Sequence, residues 1–122
     1  HAVFLDKHHR ALFCGDIICS SMTSCGSLVP RSNLDYPEYG TMAFYRERLQ
    51  KLLERSNEFD RVFPGHYIVD VDAEVLRDQL RTVDFILAQP DAYDFTEESI
   101  GKDGKPRTTR FKYIPNFGVI TY

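Results

Sequence analysis

The sequence contains no long apolar run. The longest, such as "AVFL" at 2–5 and "FILA" at 85–88, fall far short of the roughly 20 residues a bilayer-spanning helix needs, so no membrane segment is expected. It also lacks an excess of basic charge. Lys and Arg number 15 against 18 Asp and Glu, a net charge of -3, and the longest basic cluster is the short "KPRTTRFK" at 105–112. This is not the positive stripe that a phosphate backbone demands, and no nucleic-acid partner is expected. Blocks of like charge and low-complexity tracts are absent too, and with 43% apolar and 13% aromatic residues the chain reads as globular. Its 122 residues suit one domain, which at this size buries about two thirds of its unfolded surface.

Cysteine is scarce and follows no pairing pattern. Cys14, Cys19 and Cys25 form an odd set with no Cys-x-x-Cys and no histidine at zinc-finger spacing. They read as reduced thiols of a cytoplasmic protein rather than as disulfides or ligands, with Cys14, inside an apolar run, in the core. No signal-peptide pattern opens the chain. Gly-x-Ser-x-Gly, a Walker loop, a dinucleotide fingerprint and His-Glu-x-x-His are all missing.

What is present is ordered. Apolar stretches at 2–5 and 11–14 flank the polar "DKHHR" and predict a hairpin with His8 and His9 at its solvated tip. Residues 20–39, rich in Ser, Pro, Gly and Asn, read as a long loop and a candidate pocket wall. Met42, Tyr45, Leu49, Leu52 and Leu53 then recur at helical spacing after a Thr41 N-cap, with Arg46 and Arg48 on the solvated face. "DRVF" predicts a short strand running into Pro64-Gly65-His66. Val75, Leu76, Leu80, Val83, Ile86 and Leu87 mark a second helix, with Asp72 as N-cap and Pro90 beyond its end. The tail 93–122 predicts a hairpin about "GKDGK" plus one more strand. Helices against a sheet make the fold class α/β or α+β.

Two residues stand where sites assemble on such scaffolds. Asp16 follows Gly15 at the end of one strand, and His66 follows Pro64-Gly65 at the end of another. Glycine before the acid permits a sharp turn and a close approach, and Pro-Gly aims the histidine. Spacing alone leaves both as possible capping or turn residues. Tyr36, Tyr39, Tyr45 and Tyr67 are candidates for pocket lining or for aromatic packing, and Ser20, Ser21 and Ser24 read as plain loop serines.

"HAVFLDKHHRALFCGDII", a loop, "YRERLQKLLERSNEFDRVFPGHY" and a long helix together resemble the C-terminal half of a metallo-β-lactamase-superfamily protein, over roughly residues 1–88. The resemblance implies half of an αββα sandwich. It implies Asp16 as the carboxylate that bridges two metal ions and His66 as a ligand of the second. The ions would be zinc, with iron or manganese as alternatives, and a deprotonated water would attack an ester, thioester, lactone or lactam carbonyl. The interval from Asp16 to His66 is too short for the inserted domain of the superfamily's RNA-processing branch.

The superfamily's His-x-His-x-Asp-His motif is not found in these 122 residues, and its next histidine would fall four positions before His1, which itself takes no ligand role. Two ligands do not hold a dinuclear centre. The expectation is a C-terminal portion of a larger hydrolase, inactive alone, whose small acyl substrate is met by the whole protein. Its open apolar face would associate with an N-terminal half or another copy. Two further readings stay open: a non-catalytic α/β interaction module of the same fold, and a diiron oxidoreductase relative.

Overall fold

Two hydrophobic periods divide the chain: a period of two, which makes strands, and one near 3.6, which makes helices. The computed structural model describes residues 2–32 and 35–122. His1 lies outside the described residues, as do positions 33 and 34 of the expected loop.

β1 (Phe4–Asp6) and β2 (Ala11–Cys19) form the expected hairpin, antiparallel with Phe4 opposite Phe13 and Asp6 opposite Ala11. The turn closes because Asp6 Oδ1 accepts the backbone N–H groups of His8 and His9 at 3.0 and 3.1 Å. Asp6 Oδ2 lies 2.8 Å from His9 Nδ1, and His9 holds the Asp6 carboxyl below its ordinary range. Both histidines are exposed at the tip.

The remaining elements are β3 (Met22–Ser24), α1 (Met42–Leu53), β4 (Arg61–Gly65), β5 (Val71–Asp72), α2 (Glu74–Ala88), β6 (Phe95–Ile100), β7 (Pro106–Ile114) and β8 (Gly118–Thr121). The fold is mixed α/β. One sheet runs β1-β2-β4-β5 and the other β3-β8-β7-β6. β2 and β4 are parallel, so the chain between them must cross over, and α1 lies within that crossover. β6 and β7 make the terminal hairpin and β8 the extra strand, as the tail predicts.

The helices pack as their spacing predicts. Thr41 Oγ1 accepts the Phe44 N–H at 3.2 Å and starts α1, which buries Met42 and Leu49. The first turns of α2 place Val75 and Leu76 among Leu12, Cys14, Ile18, Leu49, Phe59 and Val62, while its last turns place Val83 and Ile86 against Cys25, Met42, Ile114 and Ile120. One helix therefore serves both halves of the core. Cys14 is buried there, as expected, and all three cysteines are free thiols.

Three expectations need correction. Residues 20–39 are not structureless: β3 pairs in parallel with β8, Met22 opposite Val119, and Pro37–Gly40 forms a turn of 3-10 helix. Such a short strand is set by a partner far along the chain, which local composition does not report. Arg46 is not merely solvated. It pairs with Asp84 and donates to Gln50 Oε1 at 3.1 Å, bridging α1 to α2. The buried face of α2 also takes in two polar residues outside its apolar pattern, with Gln79 Nε2 donating to Tyr45 Oη at 3.1 Å and Thr82 Oγ1 to the Asp78 carbonyl at 2.8 Å. Asp72 sits one residue ahead of the N-cap, Ala73, although its Oδ1 still accepts the Glu74 N–H at 2.8 Å.

The face of the first sheet bearing Phe4, Phe13 and Phe63 carries apolar surface in the open. Phe4 is 70% exposed and Phe13 43%, with Phe13 stacked on Phe63 at 4.7 Å between ring centroids. Among the described residues, no helix is long and apolar enough to cross a membrane.

Candidate metal centre

The site begins with an irregularity in β2. Gly15 pairs with Pro64 and Cys19 with Gly65, so four steps along β2 match one along β4. The surplus residues bulge out, and Gly15, at φ +52°, takes the left-handed turn that glycine adopts most cheaply. Asp16 is therefore not at the strand's end, as its motif suggests, but on this bulge. From the bulge, Asp16 Oδ1 stands 3.1 Å from His66 Nε2. Both side chains are well exposed and open to an incoming ligand.

The bulge also brings in Cys19, which carries no ligand spacing in the sequence. Cys19 Sγ lies 3.8 Å from Asp16 Oδ1 and 3.7 Å from the Asp16 carbonyl. Ligand atoms of Asp16, Cys19 and His66 all fall within 4.8 Å of one another. Strict strand alternation would put residues three apart on opposite faces, so spacing argues against this pairing. Burial raises the pKa of the Cys19 thiol, and the nearby Asp16 charge raises it further.

Beyond β4 the backbone is strained. His66 and Tyr67 have φ of +59° and +44°, an unfavourable region for side chains with a Cβ, and strain of this kind persists only where surroundings impose it. Ser20 supplies much of that constraint. Its hydroxyl donates to the His66 carbonyl and accepts the Ile68 N–H at 3.0 Å, while its own N–H donates to the Gly65 carbonyl at 3.1 Å. Ser20 is buried, not a plain loop serine. Further along, Arg61 Nε donates to Asp70 Oδ1 at 2.7 Å, and that hydrogen bond holds the Asp70 carboxyl below its ordinary range. The turn is thus tied at two points.

Ser20→Ala leaves the Ile68 N–H and the His66 carbonyl without their side-chain partner. It is expected to cost about 1–3 kcal/mol in stability and about 10-fold in affinity for any cation held at His66. Urea unfolding and calorimetric zinc titration check this, and unchanged values in both would refute the positioning role.

The donor set suits a transition-metal cation: an anionic oxygen, an imidazole nitrogen and a sulfur converge from two strands. Asp16 Oδ1 and His66 Nε2, which face each other at hydrogen-bond distance, are the atoms that would face a shared ion. A separate cavity of about 800 Å³ opens beside α1, lined by Ile17, Cys25, Tyr39, Phe44, Tyr45 and Leu49 among others, and none of the three cluster residues borders it. Ser24, Cys25, Gly26 and Tyr39 place the 20–39 segment in its wall. Tyr36 stacks on Tyr39 at 5.6 Å, whereas Tyr67 is 87% exposed and packs little. Protein-family models, curated proteins and solved structures give no match to this chain.

Proposed function

We propose that this chain is the C-terminal part of a metal-dependent hydrolase of metallo-β-lactamase fold, with Asp16 and His66 as metal ligands. The observation that carries the reading is the 3.1 Å approach of Asp16 Oδ1 to His66 Nε2 across fifty positions of sequence, from the two motifs on which the resemblance rests. The bulge and the strained turn that produce this approach support it as well, since stored strain concentrates at functional sites.

A bound zinc, or iron or manganese in its place, supplies Lewis acidity and an acidified water, the chemistry that ester, thioester, lactone or lactam cleavage requires. The chain's own residues do the holding. Asp16 offers an anionic oxygen, His66 an imidazole nitrogen, and Ser20 and Gly65 fix the turn that presents it. Two such ligands do not complete a dinuclear centre. The other ligands and the binding surface for a small acyl substrate then lie outside these 122 residues, and this part alone is inactive. The exposed Phe4 and Phe13 fit a face covered by a further layer of the protein or by a second copy. The free thiols fit the reducing cytoplasm.

Metal analysis of the full-length protein tests the reading. The expected content is about two zinc ions per chain, and Asp16→Ala or His66→Ala is expected to remove at least one of them and abolish acyl hydrolysis. Upstream sequence without His-x-His-x-Asp-His, or metal content unchanged in both variants, would sink the proposal. Full biological function retained by Asp16→Ala would favour the non-catalytic interaction module.

A further inference from the structure

We infer that Cys19 is a third ligand, so that Asp16, Cys19 and His66 together bind one zinc-class cation within this chain. The inference rests on the reading of Asp16 and His66 as ligands and adds to it a thiolate that neither motif contains.

The geometry is close to what such an ion requires. In a tetrahedral zinc site, bonds of about 2.0 Å to nitrogen or oxygen and about 2.3 Å to sulfur separate neighbouring ligand atoms by about 3.3–3.5 Å. Asp16 Oδ1 and His66 Nε2 are 3.1 Å apart, and Cys19 Sγ and Asp16 Oδ1 3.8 Å. The whole triad fits within 4.8 Å, about an ångström or so beyond the separations of a closed site.

The backbone already fixes Cys19 in this place. Its N–H donates to Thr23 Oγ1 at 3.0 Å, and Thr23 Oγ1 donates back to its carbonyl at 3.2 Å, with Thr23 fully buried. Cys19 stands opposite Gly65 in the ladder, next to the residue that His66 follows. The next peptide is tied to the same place, through the Ser20 N–H and the Gly65 carbonyl. A ligand set held by two strands and a clamped turn is preorganised. Cys14 and Cys25 are buried in the core and stand outside the cluster.

Two consequences follow. With three protein ligands, the usual number for an open zinc site, the 122-residue chain holds one ion by itself. The sulfur also biases the choice of ion, favouring zinc, cobalt or cadmium over magnesium and manganese. On binding, the thiol proton passes to solvent.

Cobalt(II) titration of the chain as it stands reads each ligand separately. The expected result is one equivalent bound, with visible d–d bands and a near-ultraviolet sulfur-to-cobalt charge-transfer band. Cys19→Ser is expected to remove the charge-transfer band and to weaken zinc binding by more than the 10–100-fold typical of an outer-shell loss, while circular dichroism stays unchanged. Cys19→Ala serves as the second variant, and zinc should protect Cys19 from alkylation in the parent chain.

Visible bands that depend on Asp16 and His66 but come without charge transfer would overturn the Cys19 assignment and leave the proposed function standing. A charge-transfer band that persists in both Cys19 variants would overturn it equally. No cobalt spectrum at any concentration would overturn the three-ligand site in this chain. The full-length metal analysis then decides separately whether Asp16 and His66 are ligands.

Discussion

Gly65→Ala is expected to separate Asp16 from His66, weakening zinc binding by about 10–100-fold and costing about 1–3 kcal/mol in stability. A Cβ at this position would lie 2.7 Å from Asp16 Oδ1, 2.9 Å from the Gly15 carbonyl carbon and 3.0 Å from its oxygen. The carboxylate can rotate away, but then it leaves the position facing His66. The Gly15 peptide cannot rotate, because it belongs to the bulge paired with β4. Either response damages the cluster. Gly104→Ala is the control. Its φ of +74° makes a side chain unfavourable, yet nothing lies within 4 Å, so it should lose about 1–2 kcal/mol and leave metal binding intact. Zinc titration of the two variants side by side decides the matter, and equal affinities would refute the close-packing argument.

The second large effect is expected in the core. Leu76→Ala and Ile86→Ala should each cost about 3 kcal/mol, within the usual range for deleting a buried Leu or Ile side chain. Each should lower Tm by about 10 °C in a chain of this size. Both residues are fully buried, and each loss combines lost transfer energy with an unfilled cavity. Leu76 belongs to the cluster under the first sheet and Ile86 to the cluster under the second. If α2 joins the two into one cooperative unit, either variant shifts the whole of a single transition. The residues lie about 15 Å apart along the helix axis, so their costs should add to within about 0.5 kcal/mol in the double variant. Differential scanning calorimetry shows this directly. Two separating transitions would mean that the sheets unfold independently.

Much of this architecture was legible because it is local. The 2–14 hairpin, both helices, the Thr41 cap and the terminal strands follow from periodicity and from turn residues within a few positions of one another. Asp16 and His66 were each visible for the same reason, one beside a glycine and the other after Pro-Gly. Their resemblance to known motifs suggested that they meet, but spacing did not.

Contacts between distant segments were not legible. β3 is only three residues long and exists because β8, nearly the whole chain away, offers it a parallel edge. Gln79 lies outside the apolar pattern of α2 and is buried where Tyr45 from another helix accepts its hydrogen bond. Ser20 looks like loop filler until its hydroxyl meets the backbone of residues 66 and 68.

Cys19 draws the dividing line. By itself the sequence determined a mixed α/β chain with an acid and a histidine near the ends of separate strands, since propensity and pattern act over a few residues. Only the tertiary structure decided that a thiol joins them. A bulge cancels strand alternation, and its size is set by how β2 fits against β4, not by the residues of β2 alone.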